Sequence, residues 1–117
     1  MKAQPFSAQV RQQPNLATID LHGEINAFAE NELTEAYALA EQANPATVVL
    51  NFTDVSYINS TGIALIVSLL GRARKTQTHL MVCGLNEHYL EIFRITRLAD
   101  YFEIFPDEQA ALAQRGA

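Results

Sequence analysis

A single cysteine in 117 residues leaves no way to close a disulfide within the chain. Metal-ligand spacing is also missing, because His22, His79 and His88 stand far apart and Cys83 has no second cysteine beside it. Basic residues are few: eight Lys and Arg against thirteen Asp and Glu give a formal charge of −5. That balance argues against a groove for nucleic acid and against a polybasic membrane anchor. Five Gly and four Pro are too few for a collagen-like or low-complexity chain. Met1 to Val10 is not an apolar run, so no secretory signal is expected. The longest apolar-rich stretch, Ile63 to Leu70, is far too short to span a bilayer. No Walker loop or dinucleotide fingerprint occurs. What is present is a chain 49% apolar, long enough to bury roughly two-thirds of its unfolded surface without a staple. One cytoplasmic domain over residues 1–117 is expected, with its core in about 6–112 and no membrane insertion.

The hydrophobic period switches along the chain. Phe6, Ala8 and Val10 alternate with polar residues as in a half-buried strand. Gln13, Pro14 and Asn15 make a turn, and Leu16 to Leu21 alternates again. These two runs predict an antiparallel hairpin, with Gly23 breaking the pattern. Ala29, Leu33, Ala36, Tyr37, Ala40 and Ala43 follow helical spacing until Asn44 and Pro45. Thr47 to Phe52 reads as a strand covered on both faces, and Thr53 to Asn59 as a loop. A second helix is expected from Ser60 or Thr61 to about Thr76. His79 to Cys83 suits another buried strand, Asn86 to Arg97 a third helix capped by Asn86, and Tyr101 to Phe105 a short strand. Pro106 and Asp107 start a last helix. The expected class is α/β, a mixed sheet of four to five strands with about four packed helices and parallel neighbours after the first hairpin.

Asn59, Ser60 and Thr61 are all capping residues, and Ser60 is the expected N-cap of the second helix. Its hydroxyl would stand where free N–H groups and the helix dipole favour negative charge, a place that suits a phosphate. Gly62 has no side chain and would let another molecule approach the backbone. At 100° per residue Ile63, Ile66, Val67 and Leu70 share the stripe expected to face the sheet. Leu65 and Leu69 are then left partly exposed beside Ser60, a small apolar patch of the kind a protein contact uses. Isolated exposed leucines are also common without such a role.

The run DVSYINSTGIALIVSLLGRARK, with LHGEINAF before it and HLMVCGLNEHYLEIFRITRLADYFEIFPDEQAAL after it, resembles the STAS domain of anti-sigma-factor antagonists. The resemblance extends from about Phe6 to Leu112. Its motif is Asp/Asn-Ser-Ser/Thr-Gly at a helix start, here Asn59-Ser60-Thr61-Gly62. The resemblance implies a partner-switching regulator without catalytic activity or cofactor. It implies that Ser60, with Thr61 as second choice, is phosphorylated by a serine kinase that is also the anti-sigma factor. A PP2C-type phosphatase would reverse the step. Asn26, Asn59, Thr61, Gly62, Leu65, Leu69 and Arg72 would belong to the partner-facing surface. Family members commonly carry Asp where this chain has Asn26 and Asn59, so two negative charges are missing near the expected phosphosite.

Two other readings remain at this stage. An accessory STAS subunit of a lipid-transport ABC complex would use the same surface to clamp a cytosolic ATPase without a phosphate cycle. A small serine hydrolase would need the Gly-x-Ser-x-Gly elbow, which is absent because Ile58 and Ala64 occupy the glycine positions around Ser60. Cys83 reads as a buried, inert thiol. Glu24, Glu30, Glu32 and Glu35 read as a solvated face, and Arg72, Arg74 and Lys75 as complements to a helix dipole.

Overall fold

Two antiparallel strands open residues 5–115, the part of the chain that the computed structural model describes. They are β1 (Ser7–Gln13) and β2 (Leu16–Ile25), paired from Ser7↔His22 to Gln13↔Leu16. The turn between them places Asn15 at φ 63°, a conformation asparagine tolerates better than most residues. A 3-10 turn over Ala27–Ala29 leads into α1 (Glu30–Glu41). There follow β3 (Thr47–Ile58), α2 (Ser60–Lys75), β4 (His79–Cys83) and α3 (Glu87–Ile95). A second 3-10 turn (Leu98–Asp100), β5 (Glu103–Phe105) and α4 (Glu108–Arg115) complete the described chain. The five strands lie in sequence order, and every pair after the first is parallel.

Strand alternation sends successive side chains to opposite faces, and here both faces are covered. Ala17, Ile19, Leu21, Val48, Leu50, Phe52, Leu80 and Val82 form the larger core with Leu33, Tyr37, Ile66, Leu69 and Phe93 of α1, α2 and α3. Leu16, Val49, Met81 and Cys83 turn the other way and pack under Ala111 and Leu112 of α4. Arg11 ties that helix down. Its guanidinium donates to Asp20 at 2.6 and 2.9 Å and to Glu108 at 2.8 and 3.0 Å. Asp20 also accepts from Asn51 Nδ2 at 2.8 Å. The Arg11 hydrogen bonds hold the Asp20 carboxyl below its ordinary range, against the opposing effect of burial.

The architecture is the expected α/β class with a five-stranded mixed sheet and four helices. Two expectations near the site are corrected. Thr53 to Asn59 is no loop, because β3 continues to Ile58. β2 does not stop at Gly23 either: that residue takes φ 87° beside an irregularity in the β2–β3 register, and pairing resumes through Ile25. The tail of β3 pairs with β2 alone and exposes Thr53, Asp54, Ser56 and Tyr57. Its polar pattern therefore looks like a connection when read without its neighbour.

Candidate functional site

The long pairing of β2 with β3 decides where the site lies. Ile25 stands opposite Ile58, so Asn26 and Asn59 leave neighbouring strand ends side by side. One further bond closes the pair, as Asn59 N–H donates to the Ile25 carbonyl at 3.2 Å. Carboxyl ends of parallel strands are where open α/β sheets place their functional groups.

Each asparagine then starts a helical turn. Asn26 Oδ1 accepts from Phe28 N–H at 2.9 Å and caps the 3-10 turn. Asn59 is extended, with φ −97° and ψ −175°, and its Oδ1 accepts from Gly62 N–H at 2.9 Å. The N-cap of α2 is therefore Asn59, which corrects the assignment to Ser60. An N-cap must keep strand-like angles while its carbonyl begins the helix. Asn59 follows the last paired residue of β3 and meets both conditions, its carbonyl accepting from Ile63 N–H at 2.9 Å. Ser60 becomes the first helical residue. It and Thr61 are exposed, and the Ser60 hydroxyl has no partner among the described residues.

Gly62 is buried, and the expected free approach to its backbone is corrected. A Cβ there would stand 2.1 Å from the Ile25 carbonyl oxygen and 2.9 Å from Ile58 Cγ2. The molecule that comes close is the chain's own β2. This contact also sets the rotation of α2. Gly62, Ile66, Leu69 and Ala73 face inward, while Val67 is 38% exposed. The stripe expected from Ile63, Ile66, Val67 and Leu70 is thus turned, and Leu69, at 3% exposure, belongs to the core. Leu65 is half-buried. Apolar residues surround this helix on nearly every side, so its period alone could not fix the face.

Arg72 is not brought to the rim. Three turns along α2 from Ser60, about 18 Å at 1.5 Å per residue, it pairs with Glu41 of α1. Its guanidinium also lies over the Tyr37 ring at 5.1 Å. The Tyr37 hydroxyl is buried without a partner among the described residues, and burial pushes its pKa up to about 12. Cys83 is buried under α4, and burial pushes the thiol up to about 11. Among the described residues no cluster of His, Cys, Asp and Glu could hold a metal ion. No helix there is long and apolar enough to cross a membrane.

The rim that does form contains Asn26, Asn59, Ser60 and Thr61, with Leu65 one turn farther on. Two further residues escaped the reading of the sequence. Tyr89 of α3 is buried, and its hydroxyl accepts from Ile58 N–H at 2.9 Å. That bond fixes the end of β3 just before the cap, through residues 31 apart that no local pattern connects. Phe28 is 94% exposed. Its signal was available, since it falls outside the stripe of Leu33, Ala36, Tyr37 and Ala40. A groove of about 470 Å³ opens beside Ser60, bounded by Tyr57 and Ile63 on one side and His88, Ile92 and Thr96 on the other.

The STAS domain family model matches residues 7–111. A protein of Listeria monocytogenes named anti-sigma-B factor antagonist is 32% identical over 82 residues, covering 70% of this chain and 72% of that one. The Bacillus subtilis protein of the same name is 31% identical over 100 residues, covering 85% and 90%. Among solved structures, an anti-sigma factor antagonist from Mycobacterium paratuberculosis superposes with a TM-score of 0.81 at 17% identity, covering 94% and 93% of the two chains. The antagonist SpoIIAA in its unphosphorylated form gives 0.74 at 18%, covering 95% and 98%.

Proposed function

The chain belongs to the STAS domain family, and on that premise we propose that it is an anti-sigma-factor antagonist whose choice of partner is set by phosphorylation of Ser60. The donor is a cognate serine kinase that is also the anti-sigma factor, and a PP2C-type phosphatase removes the phosphate. The observation that carries this reading is the exposed Ser60 hydroxyl, left free because Asn59 supplies the cap.

The geometry suits a switch that acts on binding. Phosphorylation adds about 1.5 to 2 negative charges at pH 7. At the first position of α2 the dipole favours that charge by about 0.3–1 kcal/mol. Gly62 N–H is already taken by the cap, but the N–H groups of Ser60 and Thr61 precede the helical ladder and can still face an anion. The cap does not use the serine, so modification removes no bond from the fold. A misplaced charge at a protein interface costs several kcal/mol, and about 1.4 kcal/mol is already tenfold in affinity. The domain stays folded while the contact changes.

Intact-mass analysis of the protein taken from its native cells, with and without phosphatase treatment, tests this. One phosphate mapped to Ser60 is expected. Protein that carries none under any growth condition, and that copurifies with an ATPase, would replace this reading with the transporter-subunit one.

A further inference from the structure

The sequence has no Lys or Arg from residue 12 to residue 71. That stretch supplies Asn26, Asn59, Ser60, Thr61 and Leu65 of the rim, with α3 contributing His88, Ile92 and Thr96 across the groove, and it is rich in carboxylates. Some of these already have partners: Asp20 is paired with Arg11 and Glu41 with Arg72, while Asp54 lies 3.3 Å from the His22 ring. Glu24, Glu30 and Glu32 have no cationic partner among the described residues. Glu24 sits opposite Tyr57 at the end of β2, and Glu30 and Glu32 occupy the first turn of α1. They flank Phe28 in the chain on both sides.

Phe28 is more exposed than Tyr57, an aromatic that lines the groove beside Ser60 and is 51% exposed. Phe52, Phe93 and Phe102 are buried, whereas Phe28 is 94% exposed. Its backbone is nonetheless held. Its N–H donates to Asn26 Oδ1 at 2.9 Å, Ala29 N–H donates to the Asn26 carbonyl at 3.0 Å, and Ala29 is fully buried. The turn packs against α2. The aromatic ring is therefore presented from a pinned turn beside the phosphosite, which lowers the ordering cost of binding. Aromatic anchors of this kind carry a large share of interface energy.

We propose that Phe28 is the anchor of the partner contact beside Ser60, and that it seats in an apolar socket ringed by Lys and Arg on a basic face of the partner protein. The inference rests on the partner-switching reading of Ser60. The uncompensated carboxylates select for that basic ring, and the ring steers encounter in a salt-dependent way.

The test places the photocrosslinker p-benzoylphenylalanine at position 28 in the native cells. Leu39 is the control site: it is 46% exposed and lies beside Gln12, at the other end of the sheet. Irradiation is expected to give an adduct from position 28 and none from position 39. Mass spectrometry should place the crosslink in an apolar segment flanked by Lys or Arg. The captured protein, once purified, should bind Phe28→Ala at least about 30-fold more weakly than the parent, and its affinity for the parent should fall as NaCl rises. An unchanged thermal midpoint of Phe28→Ala shows that the fold is intact. No adduct at position 28, a crosslink in an acidic or uncharged segment, or a loss below about threefold overturns the proposal. Ser60 phosphopeptides are measured in the same cells. Phosphorylated Ser60 without an adduct removes the anchor and leaves the switch, whereas an adduct meeting these criteria without any phosphorylated Ser60 leaves the anchor and removes the switch.

Discussion

Gly62 and Gly71 lie in one helix and should respond to alanine with opposite signs. A Cβ on Gly71 meets nothing within 4 Å. Gly71→Ala therefore gains only helix propensity, about 0.8–1 kcal/mol. The same gain is available at Gly62, but there the new methyl would stand 2.1 Å from the Ile25 carbonyl oxygen and 2.8 Å from its carbon. Neither atom can rotate away, because Ile25 is paired with Ile58 and its carbonyl already accepts from Asn59 N–H. The start of α2 must lift by roughly an ångström. Overpacking of this kind costs about 1–3 kcal/mol, and distortion of the Asn59 cap adds about 1 kcal/mol. After the propensity gain, Gly62→Ala should be destabilised by about 1–3 kcal/mol.

Urea and thermal unfolding followed by far-UV circular dichroism measure both variants. At about 4 °C per kcal/mol for a chain of this size, the midpoints should move roughly 4 °C up for Gly71→Ala and 4–12 °C down for Gly62→Ala. If Gly62→Ala is as stable as Gly71→Ala, α2 is not seated on the Ile25 carbonyl, and the placement of Ser60 at the rim loses its support.

Tyr89→Phe removes the acceptor of the buried Ile58 N–H and should cost about 1–3 kcal/mol in urea unfolding, while Tyr101→Phe, at a ring 57% exposed, should cost nothing measurable. Asn59→Asp keeps a capping oxygen, so stability should change by less than about 0.5 kcal/mol; the added charge should shorten the lifetime of phosphorylated Ser60 under a PP2C-type phosphatase, and equal dephosphorylation rates would sink the charge argument. The Asp20 carboxyl is held below its ordinary range by Arg11, so its contribution to stability is full above about pH 4, the unfolded value, and is lost as pH falls through the folded value. Asp20→Asn should therefore flatten the dependence of the urea midpoint on pH below about 4, and an unchanged slope there would mean that the Arg11 clamp is not formed in solution.

The order of strands and helices was legible because the apolar period changes between elements, as between the stripe read to Ala43 and the run from Thr47, with α1 itself ending at Glu41. Asn86 was legible as a cap, since its neighbours offer no rival, and its Oδ1 accepts from Tyr89 N–H at 3.0 Å. The next cap back was not legible in the same way. Three capping residues stand together at Asn59, Ser60 and Thr61, and only the end of β2–β3 pairing chooses among them. The rotation of α2 has a similar origin. Its polar stripe, Thr61, Ser68, Arg72 and Lys75, is narrow and flanked by apolar residues on both sides, so it cannot fix the rotation, and the deciding contact is made by a glycine with the backbone of another strand. Arg72 followed from its helix-terminal position, but its use by Glu41 and Tyr37 depends on how α1 crosses α2. What local sequence misses here is long-range backbone contact.

That distinction bears on Asn26 and Asn59 themselves. Both accept a backbone N–H through Oδ1, and a carboxylate oxygen would do so equally well. Capping therefore constrains each position to a short side chain with an acceptor and leaves its charge open. The fold can hold Asn or Asp at either strand end with little change in stability. Under the proposed phosphorylation of Ser60, asparagine at these two adjacent ends acts on what approaches the rim: two aspartate charges are absent to repel the phosphate, while Glu24, Glu30 and Glu32 keep the surrounding field negative.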